Sequence, residues 1–167
     1  NQNMEEAAYC MEQATDRCKM YCGEKNQMYS AMSEELARMY NAAGRREESL
    51  ACHLAVRNQL LKNGYREGSI LLMVDNNMSV VYLDLGRPEE AIPYLTEALE
   101  LTKENGLVGS AVAEPTWNLA RVYRALGDEE KEDIYLKAAV EGFRECYPPE
   151  HPKRIAAEQR LKERQGE

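Results

Sequence analysis

The sequence has no apolar stretch longer than five residues, as in Ile70-Leu71-Leu72-Met73-Val74. A bilayer-spanning helix needs about 20 such residues, so membrane insertion is excluded for this pattern. Aromatic carbon is sparse, with one Phe and one Trp against ten Tyr, and Met is used eight times. Six Pro and ten Gly sit between apolar-periodic segments rather than within them, which points to a helical chain. Positive charge is also short: 21 Lys and Arg against 29 Asp and Glu give a net charge of −8. Such a balance repels phosphate backbones, so nucleic acid is not an expected partner.

The cysteines are few and irregular. Cys10, Cys18, Cys22, Cys52 and Cys146 make an odd number without the spacing of a disulfide framework, which reads as reduced thiols in a cytoplasmic protein. Cys18 and Cys22 lie one helical turn apart with Cys10 near the same side, yet no zinc spacing appears, so no metal is expected. Neither His53 nor His151 has a nucleophile placed beside it by sequence. His53 falls on a large core position, and His151 falls in a Pro-bounded linker where it suits a helix start. P-loop, zincin, nucleophile-elbow and dinucleotide glycine patterns are all missing. No catalytic residue and no cofactor is therefore expected. No signal-peptide pattern opens the chain, which begins Asn1-Gln2-Asn3.

What the 167 residues do contain is a repeat. Three segments align, starting at Glu35, Asn77 and Asn118. Tyr40, Tyr82 and Tyr123 are equivalent, as are Gly44, Gly86 and Gly127, so the period is 42 residues and then 41. Each copy begins with an apolar–small pair: Leu36-Ala37, Met78-Ser79, Leu119-Ala120. The following helix runs small–large–small in Ala91, Leu95 and Ala98, loosely so in Ser49, His53 and Val56. In the last copy Glu132 takes the first small position, before Leu136 and Ala139. Ala7, Met11 and Ala14 continue the register two periods earlier.

These positions resemble the tetratricopeptide repeat family, whose usual period is nearer 34. The long period, the Asn-rich first helices and the Pro149-Glu150-His151-Pro152 linker are similar to the kinesin light chain subgroup. The resemblance implies an all-α fold: a right-handed α-α superhelix of antiparallel helix pairs, with about eight helices. Helices are predicted near 4–22, 27–43, 46–62, 68–85, 88–104, 110–126, 129–145 and 151–164. Gly at each first-helix end, Pro88 in a first turn, and Asp128 as an N-cap set several of these limits. One array is expected over 1–167. It comprises 1–24 as the second helix of a truncated repeat, repeats at 25–66, 67–108 and 109–149, and a capping helix at 150–167.

The resemblance also implies that the first helices line a concave, ligand-holding face. Mapped onto this chain, that face carries Glu35, Arg38, Met73, Asn76, Asn77 and Val80, then Glu114, Trp117, Asn118, Arg121 and Arg124. Asn77 and Asn118 suit a peptide backbone because an amide side chain both donates and accepts. Arg121, Arg124 and Arg38 suit a carboxylate. Trp117 is either an aromatic anchor or core packing. Ala31, Met73 and Glu114 stand where a carboxylate clamp for chaperone tails would want Lys or a neutral residue, which disfavours that ligand.

The leading expectation is a protein- or peptide-binding scaffold without catalysis, its candidate site being Arg38, Asn76, Asn77, Trp117, Asn118, Arg121 and Arg124. A second reading is the peptide-sensing regulatory domain of a larger transcriptional or signalling protein. A third is self-assembly as a homodimer through the first helix. Its apolar stripe of Met4, Ala7, Ala8, Met11, Ala14 and Cys18 would seek a partner helix.

Overall fold

A computed structural model describes residues 2–64 and 69–166. The described residues form helices joined by short turns and linkers, with no strand among them. They divide into two compact units, Asn1–Leu85 and Gly86–Glu167. The first holds α1 (Gln2–Cys22), α2 (Gln27–Ala43), α3 (Arg46–Lys62) and α4 (Ser69–Asp84). The second holds α5 (Ile92–Glu104), α6 (Ser110–Leu126), α7 (Glu129–Cys146) and α8 (Pro152–Gln165). The predicted start of the fourth helix at 68, and the repeat boundary at 66/67, lie outside the described residues.

The recurring Tyr and Gly explain how first helices stop. Gly44 adopts φ 87°, where its amide donates to Asn41 O at 3.0 Å and the Arg45 amide donates to Tyr40 O at 2.8 Å. Gly127 repeats this at φ 73°, with the Asp128 amide on Tyr123 O at 3.0 Å. Both are Schellman closures, in which the residue after the glycine bonds back to a carbonyl five positions earlier and that pair also packs. Tyr and Gly four apart are the two fixed points of this frame. The Arg45 guanidinium indeed lies 4.2 Å from the Tyr40 ring centre. Asp128 then caps α7, accepting from the Lys131 amide at 3.1 Å, and His151 caps α8 through the Lys153 amide at 3.3 Å.

One predicted helix start is corrected. Residues 88–91 form a 3₁₀ turn, and α5 begins at Ile92. Pro93 is the cause: it has no amide hydrogen for the Glu89 carbonyl, and its ring crowds that carbonyl. The Ile92 amide takes Glu89 O instead, one residue short of α-helical spacing.

In the first unit, α1 packs along α2. Ala8, Leu36 and Tyr40 form a core that Met11, Met39 and Cys52 extend. The Tyr40 hydroxyl donates to Glu12 Oε1 at 2.6 Å, tying the two helices. The stripe offered above to a partner helix is therefore partly covered within the chain. Ala8 and Cys18 are buried, and Met4, Ala7, Met11 and Ala14 are half-buried. Ala8 and Met11 of that stripe pack with Leu36 and Tyr40 of α2.

In the second unit, Ala113, Ala120, Leu136, Val140, Phe143 and Ala157 make one core. Gly142 lets α6 and α7 approach closely, since a Cβ there would stand 2.9 Å from Ala113 Cβ. Overpacking a rigid crossing of this kind costs about 1–3 kcal/mol. Gly142→Leu is therefore expected to lower the urea midpoint of the second unit, while Gly142→Ser, which is smaller, lowers it less. Equal midpoints for all three proteins by circular dichroism would contradict the close crossing.

Candidate binding groove

A groove of about 220 Å³ opens in the first unit, walled by α2 and α4 with α3 beneath. Polar groups come from Arg38, Asn41, His53 and Asn77, and apolar ones from Val80 and Val81. Arg38 and Asn41 lie three apart on α2, and Asn77 and Val80 lie three apart on α4, so each helix turns one face to the groove.

A buried carboxylate organises its base. Glu34 is 2% exposed and accepts from His53 Nδ1 at 2.9 and 3.1 Å. Asn77 Nδ2 donates to the same carboxylate at 3.4 Å. The Asn77 amide is thus oriented by the protein, its nitrogen engaged from below. Asn41 Nδ2 donates to Asp84 at 3.3 Å, while its buried Oδ1 has no hydrogen-bond partner among the described residues. Arg38 is exposed at the rim and pairs with Glu35 at 2.9 Å.

Arg38 and Asn77 are thus brought together in one groove. Asn76 is half-buried next to it on α4, and its carbonyl accepts from Ser79 Oγ at 2.6 Å. Met73 is exposed on α4. The remaining candidates all lie on α6 of the second unit. Asn118 is buried, and its Oδ1 accepts from Arg121 at 3.3 Å. Arg124 is exposed in the last turn. Trp117 is half-buried against the second core, 6.4 Å edge-on from Phe143. Glu114 accepts from the Tyr147 hydroxyl at 2.5 Å and pairs with Lys153 at 2.7 Å, which makes it a tie between α6 and the chain leading into α8. Burial, and then that bond, push the Tyr147 hydroxyl up to about 12.

Sequence reasoning missed Asn41 and Glu34 as parts of the groove. Asn41 was within reach, since it continues the one-turn spacing from Arg38 and is equivalent to Arg124 in the last repeat. Glu34 was not, because it reads as one more acidic residue beside Glu35. No group of three or more His, Cys, Asp or Glu able to hold a metal occurs among the described residues. None of the described helices is long and apolar enough to cross a membrane.

Comparison with known proteins bears on the fold. The Tetratricopeptide repeat family matches residues 70–145. No curated protein matches the chain in sequence. Among solved structures, nearly identical TPR-like repeats of a protein described as a Podosopora anserina kinesin light chain align with a TM-score of 0.79 at 23% identity. That alignment covers 99% of this chain and 81% of the other. A single-substitution variant of the same repeats gives 0.81 at 23% identity, over 99% and 80%. BtubC (BKLC) from P. vanneervenii gives 0.78 at 18% identity, over 98% of this chain and 74% of its own. Residues 70–145 accordingly match the tetratricopeptide repeat family, and the chain has an all-α fold similar to that of these TPR-like repeat structures.

Proposed function

We propose that this chain is a non-catalytic scaffold that binds an extended segment of a protein or peptide in the groove between α2 and α4. The carrying observation is the pair of amide side chains, Asn41 and Asn77, facing one groove, with nitrogens held by Asp84 and Glu34. An oriented amide can pair with a peptide unit at little ordering cost. The Asn77 amide supplies a polar contact for a peptide unit, and Val80 and Val81 supply apolar wall for a side chain. Arg38 at the rim adds a cation that favours an acidic residue in the ligand. A cytoplasmic setting, where free thiols persist, accords with this reading.

A peptide array probed with the full chain would supply ligands, whose affinities fluorescence polarisation then measures. Asn77→Ala and Asn41→Ala should each weaken binding about tenfold, the size of one well-made hydrogen bond. Arg38→Glu should weaken acidic peptides selectively. A ligand whose affinity none of the three substitutions changes would sink the groove assignment.

A further inference from the structure

The floor of the α2–α4 groove holds a polar atom that the fold itself leaves unused. His53 reaches the groove from α3 beneath it and is 1% exposed. Its Nδ1 lies 2.9 and 3.1 Å from the two oxygens of the buried Glu34 carboxylate. An ionised carboxylate only accepts, so the Nδ1 of this ring carries a proton. The opposite nitrogen, Nε2, makes no hydrogen bond among the described residues. Nor is it sealed from solvent, as the unmatched Oγ atoms of Ser33 and Ser49 are. The sliver of ring open to the groove therefore includes Nε2. Native interiors match nearly all of their polar atoms, so a deep nitrogen left open to a groove points to a group that arrives from outside.

The chemistry of that group follows from its surroundings. In the neutral ring Nε2 is a lone pair, which takes an N–H or O–H and gives nothing. A ligand carboxylate has no hydrogen to offer it, and would stand above the Glu34 carboxylate. The rim offers the reverse. Arg38 also lines the groove, and it uses Nη1 on Glu35 while keeping further N–H groups to give. A group that donates at the floor and accepts at the rim satisfies both levels. A primary amide does so from two separate atoms, whereas a hydroxyl has only one and an ammonium only donates. Between the two levels Val80 and Val81 offer apolar wall for methylenes, which favours Gln over the shorter Asn.

We propose that His53 is a recognition residue and that the groove selects a glutamine side chain in the bound segment, its NH2 donating to His53 Nε2 and its carbonyl accepting from Arg38. The proposal rests on the reading of this groove as a peptide site and adds the residue that it selects. Asn77 keeps its contact with the peptide unit.

The probes are short alanine peptides with a central Gln, Met, Glu or Lys, their ends blocked as acetyl and N-methylamide. Each is titrated into the full chain at about pH 8, above the ordinary imidazole range, and followed by nitrogen-15 NMR. The Gln peptide should bind about fivefold more tightly than the near-isosteric Met peptide, the worth of one net hydrogen bond. It should also bind more tightly than the Glu and Lys peptides, and it should shift the His53 Nε2 resonance, which reads the new hydrogen bond directly. His53→Asn keeps an N–H for Glu34 and leaves nothing at Nε2, so the Gln and Met peptides should then bind alike. Where that variant loses helical content, the wild-type preference and the Nε2 shift decide alone. Equal affinities for Gln and Met in the wild type, an unmoved Nε2 resonance, or tightest binding of the Lys or Glu peptide would each overturn the proposal. Weakening of all four peptides by Asn77→Ala in that case would leave the groove as a peptide site. Failure of all four to bind the wild type would overturn the groove reading and this proposal together.

Discussion

Replacing Phe143 by alanine will cost the second unit about 3–5 kcal/mol, the range for removing a large aromatic side chain from a packed core. Phe143 is fully buried on α7 and is the chain's one Phe. It meets Trp117 edge-on and lies tilted against Tyr147 at 5.4 Å. The site cannot collapse to fill the void, because the Gly142–Ala113 crossing already holds α6 and α7 at their closest approach. The cost should therefore fall at the upper end of the range. Phe143→Leu, which keeps most of the volume, should cost less than half as much. Urea unfolding followed by Trp117 fluorescence reads this unit directly, as Trp117 is the only Trp. A loss below about 1 kcal/mol would show that the core is looser than the contacts imply.

The second large effect is expected in the first unit. Arg57 Nε donates to Asp75 Oδ1 at 2.7 Å, and Asp75 is completely buried. Arg57→Met removes that guanidinium from the buried carboxylate, and breaking a buried pair costs about 3–5 kcal/mol. Adding Asp75→Leu removes the buried charge as well, so the double variant should regain most of the loss. The sign of this recovery is the informative result. Two charges removed together relieve a desolvation penalty that neither removal relieves alone. Thermal unfolding by circular dichroism, with the two single variants and the double, completes the cycle. A double variant no better than Arg57→Met would mean that the pair holds α3 and α4 together through shape rather than charge. The exposed Arg38–Glu35 pair is the natural control, since solvent-exposed pairs contribute little.

Why these charges matter also marks where sequence stops being informative. Helix limits were legible because they are local. Tyr40 to Gly44 and Tyr123 to Gly127 carry their own closing hydrogen bonds, and Asp128 and His151 cap the helices that follow them. The 88–91 turn was misread because the effect of Pro93 falls on a carbonyl four residues before it. Glu34 and Asp75 look like ordinary surface acids in sequence, and Glu132 stands out only as an acid at a small packing position. Their partners, His53, Arg57 and Arg160, lie 19, 18 and 28 residues away on other helices, a separation that no periodicity within one helix encodes. Of the groove, the rim and the Asn77 amide could be mapped by repeat equivalence. The carboxylate that orients Asn77 could not, since only folding brings Glu34 beneath it.

The last helix is held differently from every other. Ala157 is its one fully buried residue, while Arg160 grips Glu132 at 2.7 and 3.1 Å, Arg164 reaches Asp133 at 2.8 Å, and Glu158 takes Arg144 at 2.8 Å. Attachment by charge responds to solvent in a way that attachment by carbon does not. Salt screens the outer contacts and leaves the apolar core of α6 and α7 untouched. The amides of α8 should therefore exchange with deuterium well before those of α7, and sooner still as salt is raised. The end of this chain is a fastening whose tightness is set by ionic strength.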